Sequence, residues 1–405
     1  MIRTLKNLPS PIRVGLVGAG CMGSGIAHQI SLTSGINLEW IVARRPESAQ
    51  KLADKTGVKT VGSDACQLLQ NHPVDVLVEA SNTIWAAYRY CQSALEHGSH
   101  VVLMNAEVDL VFGPHLCKLA ASKDLVVTSD AGDQHGVLAR MIQEIQLWGF
   151  DIIQAGNVKG FLNYHATAAE LTHEAAKRNL SPLKCCAFTD GTKLNIEMAI
   201  LANAFDFTPA RIGMIGPTIP HLDGVLQAFD LDHLASLHGV VDYVLGAQPG
   251  GGVYVIGKCD DPVQHPYLEY YKIGQGPYYL FKRDYHLCHI ETTTAIAQTF
   301  LHRDPILQPW AGRVTDVYAF AKSHFPAETS VPHGIGGDHF YGLIATCEEA
   351  LKNNWVPIAL LDSEGESARL SHPIERDQAL TWDHLFSFSS PMIDLYRTPD
   401  NHAPA

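Results

Sequence analysis

The chain has 405 residues, 46% hydrophobic and 18% charged, which suits a folded protein of two or three domains and excludes a disordered one. Lys and Arg number 29 against 42 Asp and Glu, a formal net charge of −13. Nucleic acid and anionic membrane surfaces are therefore not expected partners.

No run approaches the ~20 apolar residues of a membrane span, and the N-terminal segment lacks an apolar signal core. The nine cysteines are scattered, odd in number and without a Cys-x-x-Cys pair. They read as reduced thiols, so a cytoplasmic protein is expected.

Along the chain, Ile12–Val17 is an apolar strand that runs into glycines, and residues 22–32 have helical spacing. Residues 38–43 read as a second strand, and Pro46 opens a helix. Further buried strands are expected at 74–78, 101–104 and 125–128, with helices at 84–95 and 114–121 between them. This alternation predicts a Rossmann-like, doubly wound parallel sheet, an α/β domain over residues 1–150.

The texture then changes. Residues 167–178, 193–205 and 291–301 read as helices, and Val240–Leu245, 252–256 and Tyr278–Arg283 as strands. An α+β substrate and oligomerisation domain over 151–312 is expected. From residue 313 the chain breaks into short β segments, among them 314–319, 338–344 and 358–361, so a small β-rich module over 313–405 is expected.

The strongest motif is Gly18-Ala19-Gly20-Cys21-Met22-Gly23, a G-x-G-x-x-G between a strand and a helix. One glycine makes the tight turn, one admits a pyrophosphate against the backbone, and one lets helix and strand pack closely. The helix N-terminus adds free N–H groups and a positive dipole end. Dinucleotide binding by Gly18, Gly20, Cys21, Met22 and Gly23 is expected.

Cofactor choice is read at the tip of the second strand, where NAD enzymes place an acid for the ribose 2′-hydroxyl. Here stand Ala43-Arg44-Arg45-Pro46. Arg44 and Arg45 suit a 2′-phosphate, so NADP is expected in preference to NAD.

The N-terminal half resembles the NAD-binding domain of homoserine dehydrogenases in Gly18–Gly23, in Val78-Glu79-Ala80-Ser81-Asn82 and in Val101-Val102-Leu103-Met104-Asn105. Nearly end to end, the chain resembles bacterial NAD(P)-dependent oxidoreductases of the homoserine-dehydrogenase type that end in a SAF (antifreeze-like) domain. The matching stretches include Asp130-Ala131-Gly132-Asp133, Phe188-Thr189-Asp190-Gly191-Thr192-Lys193, Gly276-Pro277-Tyr278-Tyr279-Leu280, Gly336-Gly337-Asp338 and Leu380-Thr381-Trp382-Asp383. The resemblance implies that Ser81, Asn82 and Asn105 join the cofactor site. One departure counts against homoserine itself as substrate: homoserine dehydrogenases carry a lysine after the asparagine, and here Asn105 is followed by Ala106-Glu107.

A dehydrogenase needs a group that exchanges the hydroxyl proton and donors that orient the substrate. Asn105 and Glu107 are candidates at the end of the fifth strand, although Glu107 equally suits a helix's first turn. Lys193, one helical turn before Glu197, is a candidate acid/base; the alternative is a surface pair on a helix capped by Asp190 or Thr192. The resemblance favours function for Lys193 and Asp190. Lys159, beside turn glycines, is a second cationic candidate.

Asp130–Asp133 reads as a pocket loop or as a tight turn. His286–Glu291 carries donor side chains at a spacing that suits no common zinc pattern, so no metal is expected. The expected function is oxidation or reduction of a small polar alcohol or aldehyde, of the sugar-acid or sugar-phosphate kind. The alternative is a lyase or isomerase that retains its nucleotide, or a carbohydrate-binding protein that uses the SAF-like module. A homo-oligomer is expected, since such second domains commonly pair about a two-fold axis.

Overall fold

The computed structural model describes residues 1–178, 180–363 and 367–405. Its first six strands are Ile12–Val17 (β1), Ile36–Val42 (β2), Thr60–Gly62 (β3), Val76–Glu79 (β4), His100–Leu103 (β5) and Val127–Ser129 (β6). All pair in parallel, in the order β3-β2-β1-β4-β5-β6. This is the Rossmann order, whose winding reverses between β1 and β4. The strands are apolar almost throughout because helices cover both faces of such a sheet. Glu79 is the exception in a fully buried β4.

The helix expected over 114–121 begins eight residues earlier, as Ala106–Ala121 with Pro114 inside it. Asn105 supplies the cap that decides the start: its side chain accepts a hydrogen bond from the Val108 N–H at 3.3 Å. A proline at the first helical position is common, and that preference misplaced the boundary.

A second sheet is built from Asp151–Lys159 (β7), Val240–Leu245 (β8), Val253–Lys258 (β9) and Tyr278–Arg283 (β10), in the order β10-β9-β7-β8. The long central strand β7 went unpredicted. Gln154, Gly156 and Asn157 interrupt its apolar run, yet all three are buried because neighbours pair on both edges.

The helix Thr192–Phe205 is buried from Thr192 to Ala204. It packs on β8 and also on the antiparallel hairpin of Thr315–Ala321 (β11) and Phe340–Thr346 (β13). Covered on two sides, it buries Thr192, Lys193, Asn195, Glu197 and Asn203 together with its apolar residues. The short strands Ser330–Val331 (β12) and Ala368–Arg369 (β14) pair separately. Residues 358–361, expected as a β segment, instead open the 3-10 helix Ile358–Asp362. Pro357 starts that turn, and Ile358–Leu361 are all buried rather than alternating.

Contacts divide the chain into two compact units. One comprises Met1–Gly136, Leu287–Gly312 and Pro391–Ala405; the other Val137–His286 and Arg313–Ser390. The helix Cys288–His302, sought in the second domain, packs on the helix Cys21–Leu32 in the first unit. No helix among the described residues is long and apolar enough to cross a membrane.

Candidate active site

In the first unit, the Gly18–Gly23 loop leaves the end of β1 and opens the helix Cys21–Leu32. Gly18 sits at φ +109°, and a Cβ there would come within 2.5 Å of the Ala80 carbonyl oxygen beyond β4. Gly23 is pressed onto the loop: its Cβ would lie 1.9 Å from the Gly18 oxygen. Gly20 is different, with no atom within 4 Å of an added Cβ. Gly20 is also the helix N-cap and makes no side-chain cap. The helix N-terminus therefore has open space at Gly20 and no side-chain cap, the arrangement that accepts a pyrophosphate. These residues fit a dinucleotide.

Arg44 and Arg45 follow β2 and are exposed. Neither side chain has a hydrogen-bond or ion-pair partner among the described residues. Lys51, Lys55, Ser48 and His28 line a cleft beside Ala19 and Ser24, adding positive charge along the same flank of a protein that is acidic overall.

At the end of β4, Glu79 is fully buried, and its Oε1 accepts the Ser81 N–H at 3.1 Å. Its Oε2 has no hydrogen-bond partner among the described residues. Burial pushes this carboxyl up to about 7, because desolvation disfavours the charged form. Ser81 and Thr83 share a hydroxyl hydrogen bond at 3.0 Å, and Asn105 Nδ2 donates to the Thr83 carbonyl at 2.7 Å. The predicted Ser81, Asn82 and Asn105 thus lie on connected backbone beside the loop. Glu107 is in the first turn of the Asn105-capped helix and is partly exposed.

Asp130 behaves as a turn-former. Its Oδ2 accepts the N–H groups of Gly132 at 2.6 Å and Asp133 at 3.2 Å, and burial pushes its carboxyl up to about 7.

In the second unit, Lys159 ends β7 and its Nζ lies 3.7 Å from Glu197 Oε2. Asn157, two residues earlier on β7, donates to the same oxygen at 3.3 Å. Glu197 is 1% exposed on its side chain, so this pair is held in a low-dielectric setting where charge interactions are strong. Lys193, itself buried, lies one turn before Glu197 on the helix Thr192–Phe205. The structure thus brings Lys159 to the face that carries Lys193 and Glu197.

Asp190 is committed elsewhere. Its Oδ1 accepts the Thr192 N–H at 2.9 Å, and its Oδ2 lies 2.8 Å from Lys322 Nζ. Lys322 and Asn157 were not singled out from the sequence. Lys322 comes from just beyond β11, so only the tertiary fold joins it to Asp190. His286, in the predicted donor-rich run, donates through Nδ1 to the Gly251 oxygen at 2.7 Å. Cys288 of that run opens the helix Cys288–His302 in the other unit.

Residues 18–129 match the family model of the homoserine dehydrogenase NAD-binding domain, and residues 132–292 match that of the catalytic domain of oxidoreductase DRL. The protein is an NAD(P)-dependent oxidoreductase. No curated protein matches the oxidoreductase. Among solved structures, it is similar to a probable dehydrogenase from Thermotoga maritima at 12% identity and a TM-score of 0.44, covering 73% of this chain and 90% of that one. GenD2 from gentamicin A biosynthesis, in complex with NAD, gives 14% and 0.40, covering 73% and 88%. Scyllo-inositol dehydrogenase from Lactobacillus casei, with bound NAD(H) and scyllo-inositol, gives 15% and 0.34, covering 62% and 67%.

Proposed function

We propose that the protein is an NADP-dependent oxidoreductase of a small polar alcohol or aldehyde, of the sugar-acid or sugar-phosphate kind. The observation that carries the cofactor reading is the pair of unpartnered guanidiniums, Arg44 and Arg45, at the tip of β2 beside an open Gly20 loop. Arginine binds phosphate oxygens through paired, charge-assisted hydrogen bonds, and between the end of β2 and Glu47 no acid stands to receive a ribose hydroxyl. The cofactor supplies the hydride chemistry when bound.

The substrate reading rests on Lys159, Lys193, Glu197 and Asn157. In this reading Lys193 exchanges the proton of the substrate hydroxyl, and Lys159 holds an anionic or hydroxyl group of the substrate. Glu197 keeps the two amines close and Asp190 supports the turn before Lys193; Glu107, in the first unit, is a separate candidate. The sequence division into 1–150, 151–312 and a SAF-like 313–405 belongs to the same proposal.

The test is direct. Purified protein with NADPH or NADP⁺ is offered a panel of short polyols, aldehydes and their acid and phosphate derivatives while the nicotinamide absorbance is followed. Turnover with NADP(H) in preference to NAD(H) supports the reading. Tightly retained nucleotide with no turnover across the panel would transfer weight to a lyase or isomerase.

A further inference from the structure

We propose that Lys322 is a positioning residue that fixes the turn carrying Lys193. The inference rests on the role given to Lys193 above. The Lys322 side chain is 2% exposed, and its Nζ is met by four groups: the Ala166 oxygen at 2.6 Å, the Gly337 oxygen at 2.7 Å, Asp190 Oδ2 at 2.8 Å and Cys186 Sγ at 3.2 Å. An ammonium has three N–H donors, and the three oxygens take them. The thiol is a weaker fourth neighbour, and burial pushes it up to about 12, so it stays protonated. This ammonium is saturated, which makes it a clamp.

The clamp closes on one short turn. Asp190 caps the helix Pro182–Thr189, Gly191 follows at φ +80°, and Thr192 begins the next helix. One oxygen of Asp190 holds Lys322 while the other accepts the Thr192 N–H. The position of that carboxylate therefore sets the direction in which the Thr192–Phe205 helix leaves, and with it the first-turn side chain of Lys193.

Burial raises the Asp190 carboxyl, and the Lys322 charge pulls it back. An isolated charge at that depth would be costly, so each partner needs the other. Lys322 itself comes from the segment after β11, so the C-terminal part of the chain takes part in the geometry of the site.

The experiment uses the full chain with Lys322→Met and Asp190→Asn combined, which removes both charges together. Two readouts need no substrate: the rate at which acetic anhydride labels Lys193 at fixed pH, and amide hydrogen exchange over residues 190–195. The expected result is a change of threefold or more in Lys193 labelling and a tenfold or larger rise in exchange at 190–195, with NADPH affinity retained.

Unchanged labelling and unchanged exchange at 190–195 would overturn the proposal. So would faster exchange confined to 320–340, the sign of a mere anchor. If the double variant fails to fold, Lys322→Arg decides by the same two readouts, since it keeps the charge but displaces Asp190. Lys193→Met on the substrate panel tests the underlying reading separately. Full turnover there would remove the role of Lys193 whatever Lys322 does.

Discussion

Asn195 accepts the Ile344 N–H through its Oδ1 at 2.9 Å, which ties a helix side chain to the backbone of a strand far along the chain. The contact is one of a series. Thr192 Oγ1 accepts the Gly342 N–H at 2.9 Å, and Asn203 Oδ1 accepts the N–H groups of Val314 at 2.9 Å and Thr315 at 2.8 Å. Residues 192, 195 and 203 lie on one face at 3.6 residues per turn, and Lys193 and Glu197 lie roughly 120° around from them. One stripe of the helix thus serves the β11–β13 hairpin and another serves the candidate site. Gly342 allows the close approach, since a Cβ there would stand 2.9 Å from Thr192 Cγ2.

Asn203 offers the cleanest test of that joint. Its Nδ2 also donates to the Thr315 oxygen at 3.1 Å. Asn203→Ala strands the buried N–H and carbonyl of Thr315, each costing about 1–3 kcal/mol when no partner replaces it, and the part-buried Val314 N–H, which water can reach at smaller cost. Urea unfolding should show a loss of roughly 2–5 kcal/mol with NADPH affinity little changed. A loss under about 0.5 kcal/mol, the scale of ordinary surface substitutions, would mean that the hairpin is held by packing alone.

The loop glycines make opposite predictions. Gly23→Ala drives a methyl group into the Gly18 oxygen, so the turn must shift. The melting temperature and NADPH binding should fall together. Gly20→Ala meets nothing in the protein and lies at φ −82°, which alanine adopts freely. Its melting temperature should hold while NADPH affinity falls tenfold or more, because the methyl occupies the space offered to the pyrophosphate. Calorimetric titration beside a thermal melt separates the two. Wild-type affinity in Gly20→Ala would place the nucleotide elsewhere.

The nucleotide sheet was legible because its signals are local: apolar runs, a glycine loop and a proline at a helix start all act within a few residues. The strand β7 was not. Gln154 and Asn157 look like loop residues until β8 and β9 are known to bury them. The candidate site shows the same division. Lys159, Lys193 and Asp190 could be picked from short motifs, whereas Lys322 carries no local sign of its ion pair with Asp190. Glu79 did carry one, a lone acid ending an apolar strand. Its shifted carboxyl depends on burial that the sequence does not state.

Arg44 and Arg45 govern the cofactor prediction. Replacing both by Ala should weaken NADP(H) binding by about 1–3 kcal/mol, the scale of charge-assisted hydrogen bonds, and leave NAD(H) nearly unchanged. Because both side chains are exposed, salt should narrow the difference. An equal loss for both nucleotides would assign the arginines to general attraction of anions.

Glu79 predicts how stability varies with pH. Its carboxyl rises in the folded state from an ordinary 4.5 to about 7, so between those values the folded protein binds more protons than the unfolded chain. Stability is then full below about 4.5 and declines as pH rises through about 7. Asp130, also at about 7, and Asp242, at about 6, act in the same direction. Glu79→Gln removes one titration and should flatten part of that decline, by about 1–3 kcal/mol at pH 8. Denaturant midpoints at pH 5 and pH 8 measure it. An undiminished decline in the variant would mean that Glu79 stays charged in the folded protein.

The acid/base role proposed for Lys193 is open to a single-variant test. A positioned acid/base group contributes a factor of about 10²–10⁴ to rate and little to nucleotide binding. Lys193→Met should therefore abolish turnover on the substrate panel while NADPH affinity and melting temperature stay near wild type. Methionine keeps much of the side-chain volume, so a cavity is not the cause of any loss. If Lys193 serves only to neutralise buried Glu197, the variant leaves that carboxylate with Lys159 at 3.7 Å and Asn157 at 3.3 Å. Stability should then fall by several kcal/mol, since one partner of a buried charge group has been removed. If Lys193 is a bystander, both rate and melt should be unchanged. One variant with a rate, a titration and a melt distinguishes all three.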